Sequence, residues 1–357
     1  MHCTYYLFIT GAAFCLPGAH ASCPTGTVPW PGKPVTCEAS STAAARETSW
    51  LLNNLFPFDE PNRQTIESGI VPAAVNLSLT ARQRFPWAAS VPRDVWRDAV
   101  LPYASVNEAR TDWRTLLTHL MTPLMKSLPK NSSLAEAAGA VNEFIWSAFM
   151  NITGRPNQRI RFRSEQTPMI FDPLSVVLYG YASCTGISIL FIDALRVAGI
   201  PARLVGTPAW HNNPNDGNHN WVEVYLGNST SISHVQEAQY LALKSSSAVS
   251  TILDRLASIA NVADDGWAFI EGAPAGAGET FADPCDKWFC NRGRFGGSGT
   301  QVFAARFDRL SALGQDVALH FPMSWDLANR GVRGENRTNF YTRVCSACPH
   351  GQATANL

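Results

Sequence analysis

The sequence predicts a mixed α+β protein, on three observations. Apolar residues recur at three- and four-residue intervals over much of 46–128, the period of a helix. A second helical pattern opens at Cys184, inside YASCTGISIL. Beyond it, three short stretches at 202–206, 219–225 and 267–271 have strand character.

Composition narrows the function before any motif is read. The 357 residues carry 28 basic and 28 acidic side chains, a formal net charge of +0. A basic face that holds nucleic acid or an acidic membrane needs an excess of positive charge, so no nucleic-acid partner is expected. With 46% hydrophobic and 16% charged residues the chain is globular, long enough for one large domain or two. Its 11 Trp are spread along the chain and read as core or cleft walls.

At the N-terminus, MHCTYYLFITGAAFCLPGAHASC has an apolar run from Tyr5 to Pro17 followed by Ala19-His20-Ala21, a small-x-small cleavage site. This resembles a secretory signal peptide of residues 1–21 cut before Ser22, although its first residues carry no Lys or Arg. No later stretch reaches about 18 uninterrupted apolar residues, so no membrane span is expected in the mature chain. Five Asn-x-Ser/Thr sequons, at Asn76, Asn131, Asn151, Asn228 and Asn336, fit a secreted, glycosylated product. The expected location is extracellular or the lumen of the secretory pathway.

Residues 22 to about 45 are rich in Pro, Gly and Thr and read as a loop, the start of a mainly helical region over 22–130. Trp50, Leu51 and Leu55, then Trp113, Leu116, Leu117, Leu120, Met121 and Leu124, carry its helical spacing. Ser133-Leu134-Ala135-Glu136 reads as a capping box opening a helix through Phe144, Ile145 and Phe149.

Removing the leader also removes Cys3 and Cys15 and leaves seven cysteines, an odd number for an oxidising compartment. Proximity groups Cys23 with Cys37, Cys285 with Cys290 and Cys345 with Cys348, though connectivity is not a sequence property. Cys184 is left alone. A lone cysteine is often a small buried hydrophobe, or bridges two chains. Cys345-Ser-Ala-Cys348-Pro-His350 has zinc-ligand spacing but lacks the second pair that a structural site needs. No metal or other cofactor is expected.

After Cys184, the residues Ile187, Leu190, Phe191, Ala194, Leu195 and Ala198 fall on one helical face. Gly199 and Pro201 end the helix, and Ser183 or Thr185 can cap its start. Cys184 therefore sits at a helix N-terminus, where unpaired N–H groups and the helix dipole favour a thiolate. His219 opens an alternating strand and shares a face with Trp221 and Glu223. If the strand at 267–271 pairs antiparallel with it, Glu271 comes opposite His219, close enough to hold the imidazole. The outcome is a Cys–His–carboxylate set. Between these strands the Ser/Ala-rich segment 227–264 reads either as a lid or docking element or as sequence absent from the mature message. Hung from a hairpin tip, it costs only about 0.6 kcal/mol per doubling of loop length.

Three blocks in order, GYASCTGISILFIDALRVAGIPARLVG, GNHNWVEVY and GWAFIEGAP, resemble the transglutaminase-like superfamily, the permuted relatives of papain. The upstream stretch IRFRSEQTPMIFDPLSVVLYG also resembles the family, and VPRDVWRDAVLPYASVNEARTDWR and DPCDKWFCNRGRF resemble flanking segments of secreted bacterial-type proteins with this domain. The resemblance implies a core over 131–310, a central helix packed on an antiparallel sheet with Cys at the helix start and His on the sheet, then a C-terminal segment 311–357. It implies Cys184 as nucleophile, His219 as base and Glu271 where the family usually has Asp, with Asp264 and Asp265 as fallbacks. The Cys184 N–H and a side chain from the Tyr179–Tyr181 region are the candidate oxyanion donors.

The expected activity is that of a thiol enzyme acting on amide or isopeptide bonds of a protein or peptide through a Cys thioester. Hydrolysis is favoured over crosslinking, since nothing resembles the calcium sites or extra β-domains of animal crosslinking enzymes. The alternatives are a non-catalytic peptide- or glycan-binding relative, and a structural protein whose odd cysteine joins two chains. Fold alone does not choose among them.

Overall fold

The computed structural model describes residues 23–32, 34–150, 152–154, 158–227, 265–272, 279, 281, 283–308 and 319–350. The expected leader 1–21, nearly all of the segment 227–264, and Asp264 lie outside the described residues. The fold is mixed helix and antiparallel sheet.

The first elements differ from the expected loop. Thr27–Trp30 and Thr36–Ala39 form a β-hairpin, closed by the Cys23–Cys37 disulfide. Alternation in Val28-Pro29-Trp30 turns Val28 and Trp30 inward. Trp30 meets Trp96 edge-on and lies under the guanidinium groups of Arg82 and Arg93. Helices follow, including Ser40–Asn53, Val71–Arg84, Trp113–Ser127 and Leu134–Phe144. Leu134–Phe144 opens with the capping box of Ser133 and Glu136.

The helix Cys184–Val197 is the centre of the molecule. Every residue from Thr185 to Val197 is buried, so the helix has no solvent face. The sheet covers one side, and helices such as Trp113–Ser127 and Leu134–Phe144 cover the rest. Two charges follow it inside: Arg196 bonds Asp193 at 3.4 Å and the carbonyls of Ala99, Ala104 and Ala202. Gly199 ends the helix at φ 73°, where a Cβ would come within 2.5 Å of Ala88 Cβ.

Five antiparallel strands form the sheet, in the spatial order Trp267–Ile270, His219–Tyr225, Ala202–Thr207, Phe303–Arg306, Arg333–Asn336. Ala202, Leu204, Val222 and Val224 join the larger core around the Cys184 helix. Val205, Trp221 and Phe269 face a second core with Phe289, Phe295 and Tyr341. Trp221 is fully buried there, stacked 4.4 Å from Phe289 and bonded from Nε1 to the Tyr341 hydroxyl at 2.8 Å. Truncating such a side chain costs about 3–5 kcal/mol.

Two further findings correct the sequence reading. Cys285 pairs with Cys348 and Cys290 with Cys345, not each with its sequence neighbour. The helix Thr338–Cys345 covers the outer face of the sheet and brings its cysteines back to the 285–290 loop. Second, the strand pairing is shifted by two residues. Tyr225 lies opposite Trp267, which places Glu271 past the strand end and on a diagonal to His219 rather than opposite it. Asp265, just before the ladder, accepts from the Trp267 N–H at 3.1 Å and pairs with Arg337.

Candidate active site

Cys184 is the first residue of its helix, half-buried, and the one free cysteine among the described residues. Neither expected cap is made. Ser183 has no capping bond, and its hydroxyl lies 2.5 Å from that of Thr167. The Thr185 hydroxyl accepts from the Asn220 amide at 3.3 Å. Side chains thus leave the first N–H groups of the helix uncapped at the thiol. Gly186 permits the close packing behind it. A Cβ there would stand 2.7 Å from Ala182 Cβ, 2.9 Å from the Ile170 carbonyl oxygen and 2.9 Å from Phe171 Cα.

His219 opens its strand opposite Thr207 and is 4% exposed. The imidazole hydrogen-bonds Glu271 Oε2 through Nε2, and the Cys184 thiol is close enough to interact with it. With Nε2 engaged, Nδ1 is the nitrogen left for sulfur. Glu271 is buried and also accepts from Trp288 Nε1 at 2.9 Å, while its own N–H donates to Glu279 Oε2 at 3.0 Å. The longer Glu side chain spans the diagonal that the two-residue shift creates.

Charge is distributed accordingly. Burial alone raises the Cys184 thiol, but the hydrogen bond and charge of His219, with the Asn220 N–H, outweigh it and lower the thiol. Burial alone lowers the imidazole. The Glu271 carboxylate and Cys184 outweigh it and push His219 up to about 10. The pair favours thiolate and imidazolium, the form that attacks a carbonyl and then gives a proton to the leaving group.

An aromatic cage, unread from sequence, surrounds the imidazole. Trp288 lies 4.8 Å from the His219 ring, Phe289 5.4 Å, Trp221 5.7 Å and Trp210 6.3 Å. Trp288 sits between two disulfide-bonded cysteines in DPCDKWFC, a pattern visible in the sequence but without a partner there. Trp210 stands on the loop before His219. The next two residues, His211 and Asn212, adopt φ 57° and 55°, a left-handed backbone that costs non-glycine residues about 1 kcal/mol or more. His211 steadies it through Asp216 at 2.6 Å, the Gly293 carbonyl at 3.1 Å and the Thr300 hydroxyl.

Other candidates fall outside the cluster. Asp265 serves Arg337 and Trp267. Glu223, on the His219 strand, is paired with Arg203 and Arg337 and accepts from the Tyr341 hydroxyl at 2.9 Å. Tyr181 lies under the Arg163 guanidinium, and Tyr179 is exposed.

Residues 134–240 match the family model of the transglutaminase-like superfamily. The match marks a transglutaminase-like superfamily domain at 134–240. No curated protein and no solved structure significantly matches the chain. Among the described residues, no helix is long and apolar enough to cross a membrane.

Proposed function

We propose that the protein is a secreted thiol hydrolase of amide bonds in peptides or proteins, with Cys184 as nucleophile, His219 as acid and base, and Glu271 as the group that orients His219. The observation that carries this reading is the His219 imidazole set between the Cys184 thiol, which it acts on electrostatically, and the Glu271 carboxylate, which it bonds. The Cys184 thiolate attacks the carbonyl carbon, and the His219 imidazolium gives its proton to the departing amine. A thioester and a free amine result. Water then attacks the thioester while His219 takes its proton, and the carboxylic acid leaves as the thiol is restored. The Cys184 N–H, at the uncapped helix start, is the natural donor to the developing oxyanion. Hydrolysis is the simpler resolution because water needs no second subsite, whereas transfer to an amine does. Three disulfides fit an oxidising compartment.

The test is alkylation of the non-reduced protein with iodoacetamide at about pH 6, below the usual thiol range. Peptide mapping by mass should find one rapid adduct, on Cys184, slowed at least tenfold by His219→Ala. No rapid adduct on Cys184, or one indifferent to His219, would sink the reading.

A further inference from the structure

Beside the site stands a cation with no hydrogen-bonded or ion-pair partner among the described residues. Arg294 is half-buried on the short turn Arg292–Phe295. Its Cζ lies 4.8 Å from the Trp210 ring and 5.7 Å from the Trp288 ring. Both rings touch the His219 imidazole, and they meet each other edge-on at 6.1 Å. Among the described residues, the Arg294 guanidinium makes no hydrogen bond and no ion pair. The carboxylate that acts on it from a distance, Asp216, is committed to His211 at 2.6 Å and Asn213 at 3.2 Å. The other arginines packed on the sheet differ: Arg203, Arg306 and Arg337 each hold a carboxylate.

The cation is also held in place. The Asn291 side chain accepts from the Arg294 N–H at 3.0 Å, Phe295 is buried beside it, and the Cys290–Cys345 disulfide anchors the preceding turn. A guanidinium held against two indoles is partly stripped of water, yet its planar N–H groups form a fork that matches a carboxylate. Such a group, preorganised and unsatisfied, on the aromatic wall that cages the proposed catalytic base, is built to receive an anion.

We infer that Arg294 is a specificity-determining residue that binds a carboxylate of the substrate, so that the thiol site acts on peptides with a free C-terminal carboxylate or an acidic side chain close to the scissile amide. The inference rests on the thiol-hydrolase reading and narrows its substrate class.

Three matched chloroacetamides test it without a known substrate. Chloroacetyl-glutamine amide is neutral, chloroacetyl-glutamine carries a terminal carboxylate, and chloroacetyl-glutamate α-amide carries a side-chain carboxylate. In each case the Cys184 thiolate displaces chloride and forms an S–CH2 bond, read by intact mass. One carboxylate probe should react about tenfold faster than the neutral probe, the size of a charge-assisted hydrogen bond. Which of the two is preferred identifies the source of the carboxylate. The ratio should fall to about one in Arg294→Gln, persist in part in Arg294→Lys, and shrink with added salt. A ratio near one in the native protein, or one that survives Arg294→Gln, overturns the inference and leaves the thiol site standing. Failure of the neutral probe to label Cys184 in a His219-dependent way overturns the thiol-enzyme reading itself, and the inference with it.

Discussion

Replacing Glu271 with Gln keeps the shape of the site and removes one charge. The acceptors of His219 and their environment lift its proton affinity from 6.5 to about 10 against burial. A tenfold change in affinity is about 1.4 kcal/mol, so these partners together outweigh burial by on the order of 5 kcal/mol. Glu271 is the first of them. Losing a charge-assisted hydrogen bond costs about 1.5–3 kcal/mol, which moves the His219 titration from about 10 down to about 8–9. The direct effect of the Glu271 charge on Cys184 has the opposite sign, since an anion nearby disfavours a thiolate, and it is the smallest of the influences on that thiol.

The assay is the pH dependence of iodoacetamide alkylation of Cys184, with a neutral reagent so that charge does not bias the rate. In the native protein the rate should hold a plateau from mildly acid solution up to about 10. It should then rise as His219 loses its proton and leaves a bare, more nucleophilic thiolate. In Glu271→Gln the rise should begin one to two pH units lower, by the energies above. The plateau should also drop, because the neutral thiol–imidazole pair now competes. An upper step at the same pH in both proteins would refute the claim that Glu271 holds the proton on His219.

Two further outcomes follow from the packing. Gly186→Ala should lower stability by about 1–3 kcal/mol despite the better helix propensity of Ala, because all three nearest atoms to the new Cβ, in Ala182, Ile170 and Phe171, lie under 3.0 Å. Urea unfolding followed by tryptophan fluorescence checks it, and a variant as stable as the parent would contradict it. Glu335 is raised by burial but held at about 2 by Arg203, Arg337 and Arg306. A depressed carboxylate contributes stability that is present above its unfolded value and lost as pH falls toward the folded one. Glu335→Gln should therefore cost about 2 kcal/mol at neutral pH, discounted for partial exposure, and the difference should close as pH falls from 4.5 toward about 2. A difference independent of pH would show that the ion pairs carry none of it.

Much of the site is written in local sequence. A cysteine before an apolar run with Gly199-Ile200-Pro201 after it can only begin a helix, and HNWVEVY can only alternate as a strand. Those are short-range properties of side-chain period and backbone freedom. Residues 219–225 form the strand over the full length that the alternation marks. The helix differs in one respect. One apolar stripe was legible, but the helix is buried all round, with Asp193 and Arg196 bonded to each other inside, because burial depends on what packs against the polar face.

What the sequence by itself determined is where chemistry can sit: an odd cysteine at a helix start, a histidine opening a strand, and a carboxylate just beyond another. Only the tertiary structure decided what they touch. Strand register turned Glu271 from the expected opposite position to a diagonal one, since pairing is set by the ends of both strands together and not by either alone. Disulfide partners crossed between the 285–290 loop and the last helix, because bonding follows Cα separation in space and not in sequence. Trp210, Trp288 and Arg294 gained meaning the same way. Each is an ordinary residue on its own loop, and only folding gathers the two indoles around His219 and sets Arg294 against them.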